Sequence, residues 1–191
     1  PIFNIPLPFF PSFLKIHLDE LPAFICGFAY GPLSGFLVLF VKTIIKLPLT
    51  NTMGVGEFGD LLLSSLYCLP ATWIYKRFRT LKGAITGMSV ATVIQVLSAM
   101  LFNVYILIPF YVFMMGMEEA SLLALMQKAM PMISDVKWSY GLIAVLPFNL
   151  LKDAVITVLT FVLYHFLHKP LHLEKKTPKK EASNTTNKSS N

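Results

Sequence analysis

From Gly83 to Met117 the chain carries no charged residue at all. At about 1.5 Å of rise per helical residue, that run outlasts the roughly 30 Å hydrocarbon core of a bilayer even when tilted. It predicts one membrane span with a bent or interfacial extension, and Pro109 is the natural break. Composition points the same way, with 55% apolar residues, 14% charged residues and a mean hydropathy of +0.65. The formal net charge of +6 does not indicate nucleic acid. The basic residues flank apolar blocks instead of alternating with aromatics on a soluble face, which makes them a topology signal.

Four hydrophobic blocks stand out: Leu21 to about Leu47, Phe58 to Tyr75, Gly83 to about Phe113, and Tyr140 to Leu167. The polar stretch from Lys169 onward is low in complexity and is expected to be a disordered, basic tail, residues 169–191. The Pro- and Phe-rich opening has no basic start and does not read as a removable leader. Lys76, Arg77, Arg79 and Lys82 cluster between the second and third blocks, and Lys169, Lys175, Lys176, Lys179 and Lys180 follow the fourth. Both clusters are expected on the cytoplasmic side, so the third block runs outward and the fourth returns. The segment holding Glu118, Glu119, Asp135 and Trp138 is then external, as is the connection Leu49 to Glu57.

The first block stays open on physical grounds. Read as one helix, it puts Pro1 to Glu20 inside. Broken at Tyr30-Gly31-Pro32, it becomes two helices and puts them outside. Gly31 is a ready helix terminator and Pro32 disfavours a helical residue before it, yet Leu21 to Tyr30 is too short to cross a bilayer alone.

An ionisable residue at membrane depth is costly and marks function by default. Asn149, Lys152 and Asp153 share one side of the last helix, just after the kink expected at Pro147. They face either a cavity or an opposite charge on another helix. Lys42 and Lys46 lie on one helical face, where Lys46 can snorkel to the interface. Glu57 and Asp60 open the next helix and suit its N-terminal dipole as well as a ligand. Gln95 and Asn103 are amides in the charge-free run, and interhelical hydrogen bonding accounts for either. The opening PIFNIPLPFFPSFLKIHLDELP is too rich in proline for a regular helix and reads as a rigid extended segment whose apolar rings need a partner.

Catalysis finds little support. His17, His165, His168 and His172 all lie at segment ends, and no HExxH, Asp-rich metal-phosphate motif or GxxxxGK[ST] occurs. Cys26 and Cys68 lack metal or redox spacing and read as small buried hydrophobes. The expectation is a non-enzyme with no cofactor and no metal.

The run FNIPLPFFPSFLKIHLDELPAFICGFAYGPLSG, followed by VKTIIKL, TNTMGVGEFGDLL, LPATWIYKRFRTLKGA, FNVYILIPFY and PFNLLKD, resembles the riboflavin-specific S components of energy-coupling-factor (ECF) vitamin importers. The likeness spans roughly Pro1 to Asp153. It implies an all-α integral membrane protein, a six-transmembrane-helix bundle of which most or all of helix 1 is absent from this sequence. Residues 1–20 would be an extracellular capping loop. The membrane domain would cover 21–168, with helices at about 21–30, 32–48, 57–76, 83–113 and 139–168. It further implies riboflavin as transported ligand, contacted by Asn149, Lys152 and Asn103, with Leu14, Lys15 and Thr43 as weaker candidates. Expected partners are a transmembrane coupling subunit of the EcfT type, two ATP-binding cassette ATPase subunits and the bilayer, with no nucleic acid. The expected location is the bacterial plasma membrane with a cytoplasmic C-terminus. The alternatives are an S component for another vitamin and a membrane assembly protein outside transport.

Overall fold

A computed structural model of the chain describes residues 4–6, 15–50, 53–114 and 116–171, with side chains for 18–50, 53–114 and 116–163. The chain opens with two short antiparallel strands, β1 (Asn4–Pro6) and β2 (Lys15–His17), in the register Asn4↔His17, Ile5↔Ile16, Pro6↔Lys15. This hairpin is the one departure from an otherwise helical architecture among the described residues. A single 3-10 turn, Leu18–Glu20, leads from it into the bundle.

Helix α1 (Leu21–Tyr30) starts on Pro22, whose missing N–H costs nothing in a first turn, and ends where the Gly31 N–H bonds Gly27 O at 2.9 Å. Gly31 has φ 110°, a conformation that side chains resist, and Pro32 then opens α2 (Pro32–Lys46) in the reverse direction. The first apolar block is thus two antiparallel helices. They pack closely because Gly35 has no side chain: a Cβ there would stand 2.9 Å from Ala23 O and 2.8 Å from Cys68 Sγ.

Helix α3 (Val55–Phe78) runs alongside α1 in the same direction, with Phe24 edge-on to Tyr67 (centroids 4.7 Å apart) and Phe28 edge-on to Tyr75 (5.0 Å). After Arg79 the chain turns, the Thr80 side chain accepting from Gly83 N–H at 3.0 Å, and α4 (Leu81–Phe102) returns antiparallel to α3. Gly31, Lys76, Arg77 and Arg79 therefore gather at one end of the bundle, the basic end; a Cβ on Gly31 would lie 3.7 Å from Lys76 Nζ.

Pro109 does not break the third block. A π turn, Asn103–Leu107, carries α4 into α5 (Ile108–Phe113), and the Ile108 N–H reaches Asn103 O. The last block repeats the device: α7 (Trp138–Tyr140), a π turn at Gly141–Val145 with Leu146 N–H on Gly141 O, then α8 (Leu146–Leu171) with Pro147. A proline ring collides with the carbonyl four residues back, and the wider π turn gives that carbonyl room without ending the rod. The two rods touch at these turns, where a Cβ on Gly141 would meet Met100 and Val104 at 3.2 Å. Between the rods lies α6 (Glu119–Ala129), a helix that hydropathy does not signal.

Three stretches, Pro32–Leu49, Leu81–Phe113 and Trp138–Leu163, are long and apolar enough to cross a membrane. Their outward faces carry Leu37, Phe40, Val41, Ile44, Val93 and Val158, all exposed on the protein alone. That arrangement suits lipid. The interior divides in two. Near the basic end Phe24, Leu39, Tyr67, Cys68, Met88 and Ile156 form one apolar cluster. Toward the other end Ile108, Leu122, Met126, Ile133, Tyr140 and Val145 form a second.

Candidate functional site

The layer between the two apolar clusters is polar. On α4, Gln95 lies between Ala91 of the first cluster and Ala99 of the second. On α8, Asn149, Lys152 and Asp153 lie between Val145 and Ile156. All four are buried, Gln95 and Asp153 completely.

Each element contributes for a local reason. Asn149 follows the π turn, and its Nδ2 donates back to Val145 O at 2.8 Å, which leaves Oδ1 to accept from Gln95 Nε2 at 3.0 Å. Asn103 stands in the other π turn and repeats the pattern. Its Nδ2 donates to Ala99 O at 2.8 Å, and its Oδ1 accepts from Tyr140 OH at 3.4 Å. Both amides are thereby fixed in orientation, and each retains one N–H and one lone pair for a ligand.

One turn along α8, Lys152 Nζ donates to Glu20 Oε1 at 2.9 Å, and the Ser64 hydroxyl donates to the same oxygen at 2.8 Å. Glu20 is 1% exposed, and its second oxygen, Oε2, has no partner among the described residues. Asp153 is also without a side-chain partner there, while its backbone carbonyl accepts from Tyr67 OH at 2.9 Å. Beside this group, Lys42 pairs with Asp60 at 2.9 Å and with Asp19 at 3.5 Å, and Lys46 pairs with Asp19 and, at 3.7 Å, with Asp60. Asp19 and Glu20, consecutive in the chain, thus tie the foot of the hairpin to α2, α3 and α8.

A cavity of about 170 Å³ opens beyond Asn103, lined by Leu107, Tyr111, Met117, Met126 and Tyr140. Its wall is apolar apart from the Asn103 amide and the tyrosine hydroxyls, which suits an aromatic ring better than a polar chain.

Of the residues marked in the sequence, Asn149 and Lys152 share one buried face of α8. Asn103 stands eight positions beyond Gln95 on the neighbouring rod, about 12 Å at 1.5 Å per residue. Thr43 is buried on α2, but its hydroxyl donates to Leu39 O at 2.9 Å, and no hydrogen bond among the described residues joins it to α8. Lys15 pairs through its backbone with Pro6, and its side chain lies outside the described residues. Leu14 and the tail from residue 172 also lie outside them. Lys46 is paired with Asp19 instead of reaching alone for the interface. Asp60 is an ion-pair partner of both lysines, and Thr50 donates to the Glu57 carboxylate. Reading by residue type passed over Glu20 and Tyr140. The available signal for Glu20 was Lys152 itself, because an ammonium inside a span calls for a carboxylate.

Amides, hydroxyls and a paired ammonium enclosed by an apolar helical bundle define a class: a membrane-embedded subunit that holds a small polar molecule. The chain belongs to the family of ECF transporter substrate-specific components, whose profile matches residues 2–164. That is a family of transport components, not of enzymes. Among similar proteins is the riboflavin transporter RibU of Staphylococcus aureus, 28% identical over 164 residues, 86% of this chain and 80% of that one. Another is the riboflavin transporter FmnP of Bacillus subtilis, 26% identical over 167 residues, 85% and 81% of the two chains. A solved structure, described as the structure and mechanism of the S component of a bacterial ECF transporter, matches with a TM-score of 0.67 at 27% identity. It covers 88% of this chain and 86% of that one.

Proposed function

We propose that this chain is the riboflavin-capturing subunit of an ECF importer, taking the vitamin at the outer face and releasing it inward with an ATPase-driven coupling module. The carrying observation is the buried polar layer, in which the Asn149 amide is held in one orientation a single turn from Lys152. The isoalloxazine ring presents carbonyls and an imide N–H along one edge. Oriented amides complement that edge, and an ammonium donates to a carbonyl or a ribityl hydroxyl. Asn149, Lys152 and Asn103 are the proposed contacts, with Leu14, Lys15 and Thr43 around them. The similarity to the two riboflavin transporters supports this ligand over other vitamins.

In this reading the basic end faces the cytoplasm with the C-terminus, following the excess of Lys and Arg there. The strand pair β1 and β2 then caps the outer side. The coupling module is an EcfT-type membrane subunit with two ATP-binding cassette ATPases, since this sequence holds no nucleotide-binding motif of its own.

The test is direct. Protein purified in detergent from riboflavin-fed cells should be yellow, and the stripped protein should quench flavin fluorescence at stoichiometric titration. A colourless protein that binds thiamine or biotin in a competition panel would replace riboflavin with that vitamin.

A further inference from the structure

The basic end of the bundle has no counter-charge. Lys76 and Arg77 close α3, Arg79 and Lys82 sit at the turn into α4, and all four residues are exposed. No acidic residue occurs from Leu21 to Gly56, from Leu61 to Met117 or from Ala154 to Leu171, so the helices that reach this end supply none. In the polar layer Lys42, Lys46 and Lys152 are each paired with a carboxylate, whereas these four enter no ion pair among the described residues. Apolar rings surround them. Trp73, one turn before Arg77 on the same face of α3, is 66% exposed, and Tyr30, Phe78 and Leu81 are exposed beside the two connections. Lys76 links those connections, because a Cβ on Gly31 would lie 3.7 Å from its Nζ.

We propose that this end is a binding surface for anionic phospholipid headgroups. Indole and phenol rings beside cations mark the level where acyl chains give way to phosphates. Four cations between Lys76 and Lys82, at the end of an apolar rod, reach the density at which a basic segment holds anionic lipid. A soluble anion would use the cations alone, whereas Trp73 and Phe78 give the glycerol and acyl region of a phospholipid its own contact. The surface shares no residue with the polar layer, so it stands whichever vitamin the chain binds.

The test supplies the full chain, in a neutral detergent, with phosphatidylglycerol and phosphatidylcholine of equal chain length and counts the lipid retained by native mass spectrometry. Wild type should prefer phosphatidylglycerol by about tenfold or more, and the preference should shrink as salt rises. Arg77→Gln with Arg79→Gln should lose most of it. Lys128→Gln with Lys137→Gln, which removes the same charge from exposed sites toward the other end, should keep it. The basic tail is common to all three proteins. Equal loss in the two double variants, or no preference in wild type, overturns the proposal and leaves the cluster to topology or to a protein partner. Glycerophosphoglycerol, the same headgroup without acyl chains, should fail to displace the lipid at equal concentration; displacement would make this a soluble-anion site and overturn the lipid. Should the arginine variant not fold, wild type decides with phosphatidylglycerol that carries a photoreactive headgroup. Labelling within residues 73–85 supports the surface, and labelling confined to the tail overturns it.

Discussion

Gln95 on α4 donates through Nε2 to the carbonyl of Asn149 on α8 at 3.0 Å, a bond between residues 54 positions apart in a layer closed to solvent. With the Nδ2 bond to Val145 O, that bond fixes the orientation of the Asn149 amide from both ends. Replacing Gln95 with Leu removes the donor and frees the amide to turn over. Riboflavin binding should weaken by about tenfold, in line with roughly 1–3 kcal/mol for leaving a buried polar group unpaired. Fluorescence titration checks this, and an unchanged affinity would deny Gln95 its orienting role.

The pair Lys152–Glu20 predicts an asymmetric response to substitution. Lys152→Met strands a buried carboxylate and should destabilise the protein by about 3–5 kcal/mol. The double variant Lys152→Met with Glu20→Gln should recover much of that loss. Lys46→Ala, at a site where both partners are more than a quarter exposed, should cost about 0–1 kcal/mol. Thermal melting in one detergent ranks all three. Binding should be far weaker in both variants that lack Lys152 than in Lys46→Ala.

Gly35 tests the close approach of α1 and α2. A methyl group there would press on Ala23 O at 2.9 Å, a backbone atom that cannot swing aside. Gly35→Ala should therefore lower stability by about 1–3 kcal/mol. A wild-type melting temperature would mean the two helices part at little cost.

The π turn ahead of Pro147 yields a prediction in which stability and binding separate. Pro147→Ala restores an N–H and removes the ring that keeps the turn wide, so the rod can relax to a regular α-helix. Absorbing the extra residue of the π turn into regular α-helix turns the helix by about 100° between its two ends. Asn149 and Lys152 would then no longer share their present alignment with Tyr140. The variant should melt at or above the wild-type temperature and bind riboflavin at least tenfold more weakly. A fall in both together would indicate ordinary unfolding.

The membrane class and the helical bundle were legible from the charge-free run and the apolar blocks, because burial in lipid leaves a composition signal that local sequence carries unaided. The same holds for Asn149 and Lys152, whose cost at membrane depth singles them out. Glu20 was not legible alone: it reads as the solvated end of a loop until a half-length helix carries it inward to Lys152. Gln95 was visible only as helix-to-helix glue, since its partner lies on a different rod. Helix α6 escaped notice because its apolar positions face a cavity wall made by other helices. The expected break at Pro109 became a π turn, as packing of the two rods against each other favours a continuous path over a bend.

Helix α1 spans ten residues, about 15 Å, whereas the stretch from Pro32 to Leu49 beside it covers eighteen, about 27 Å. Both meet at the turn at Gly31, so the neighbouring helix stands some 12 Å taller, and the first turn of α1 ends partway along the bundle, where Glu20 meets Lys152. The depth at which Glu20 enters the bundle is then a matter of the length of one helix. A single added turn in α1 would shift Glu20 by about 5.4 Å and lift it clear of Lys152.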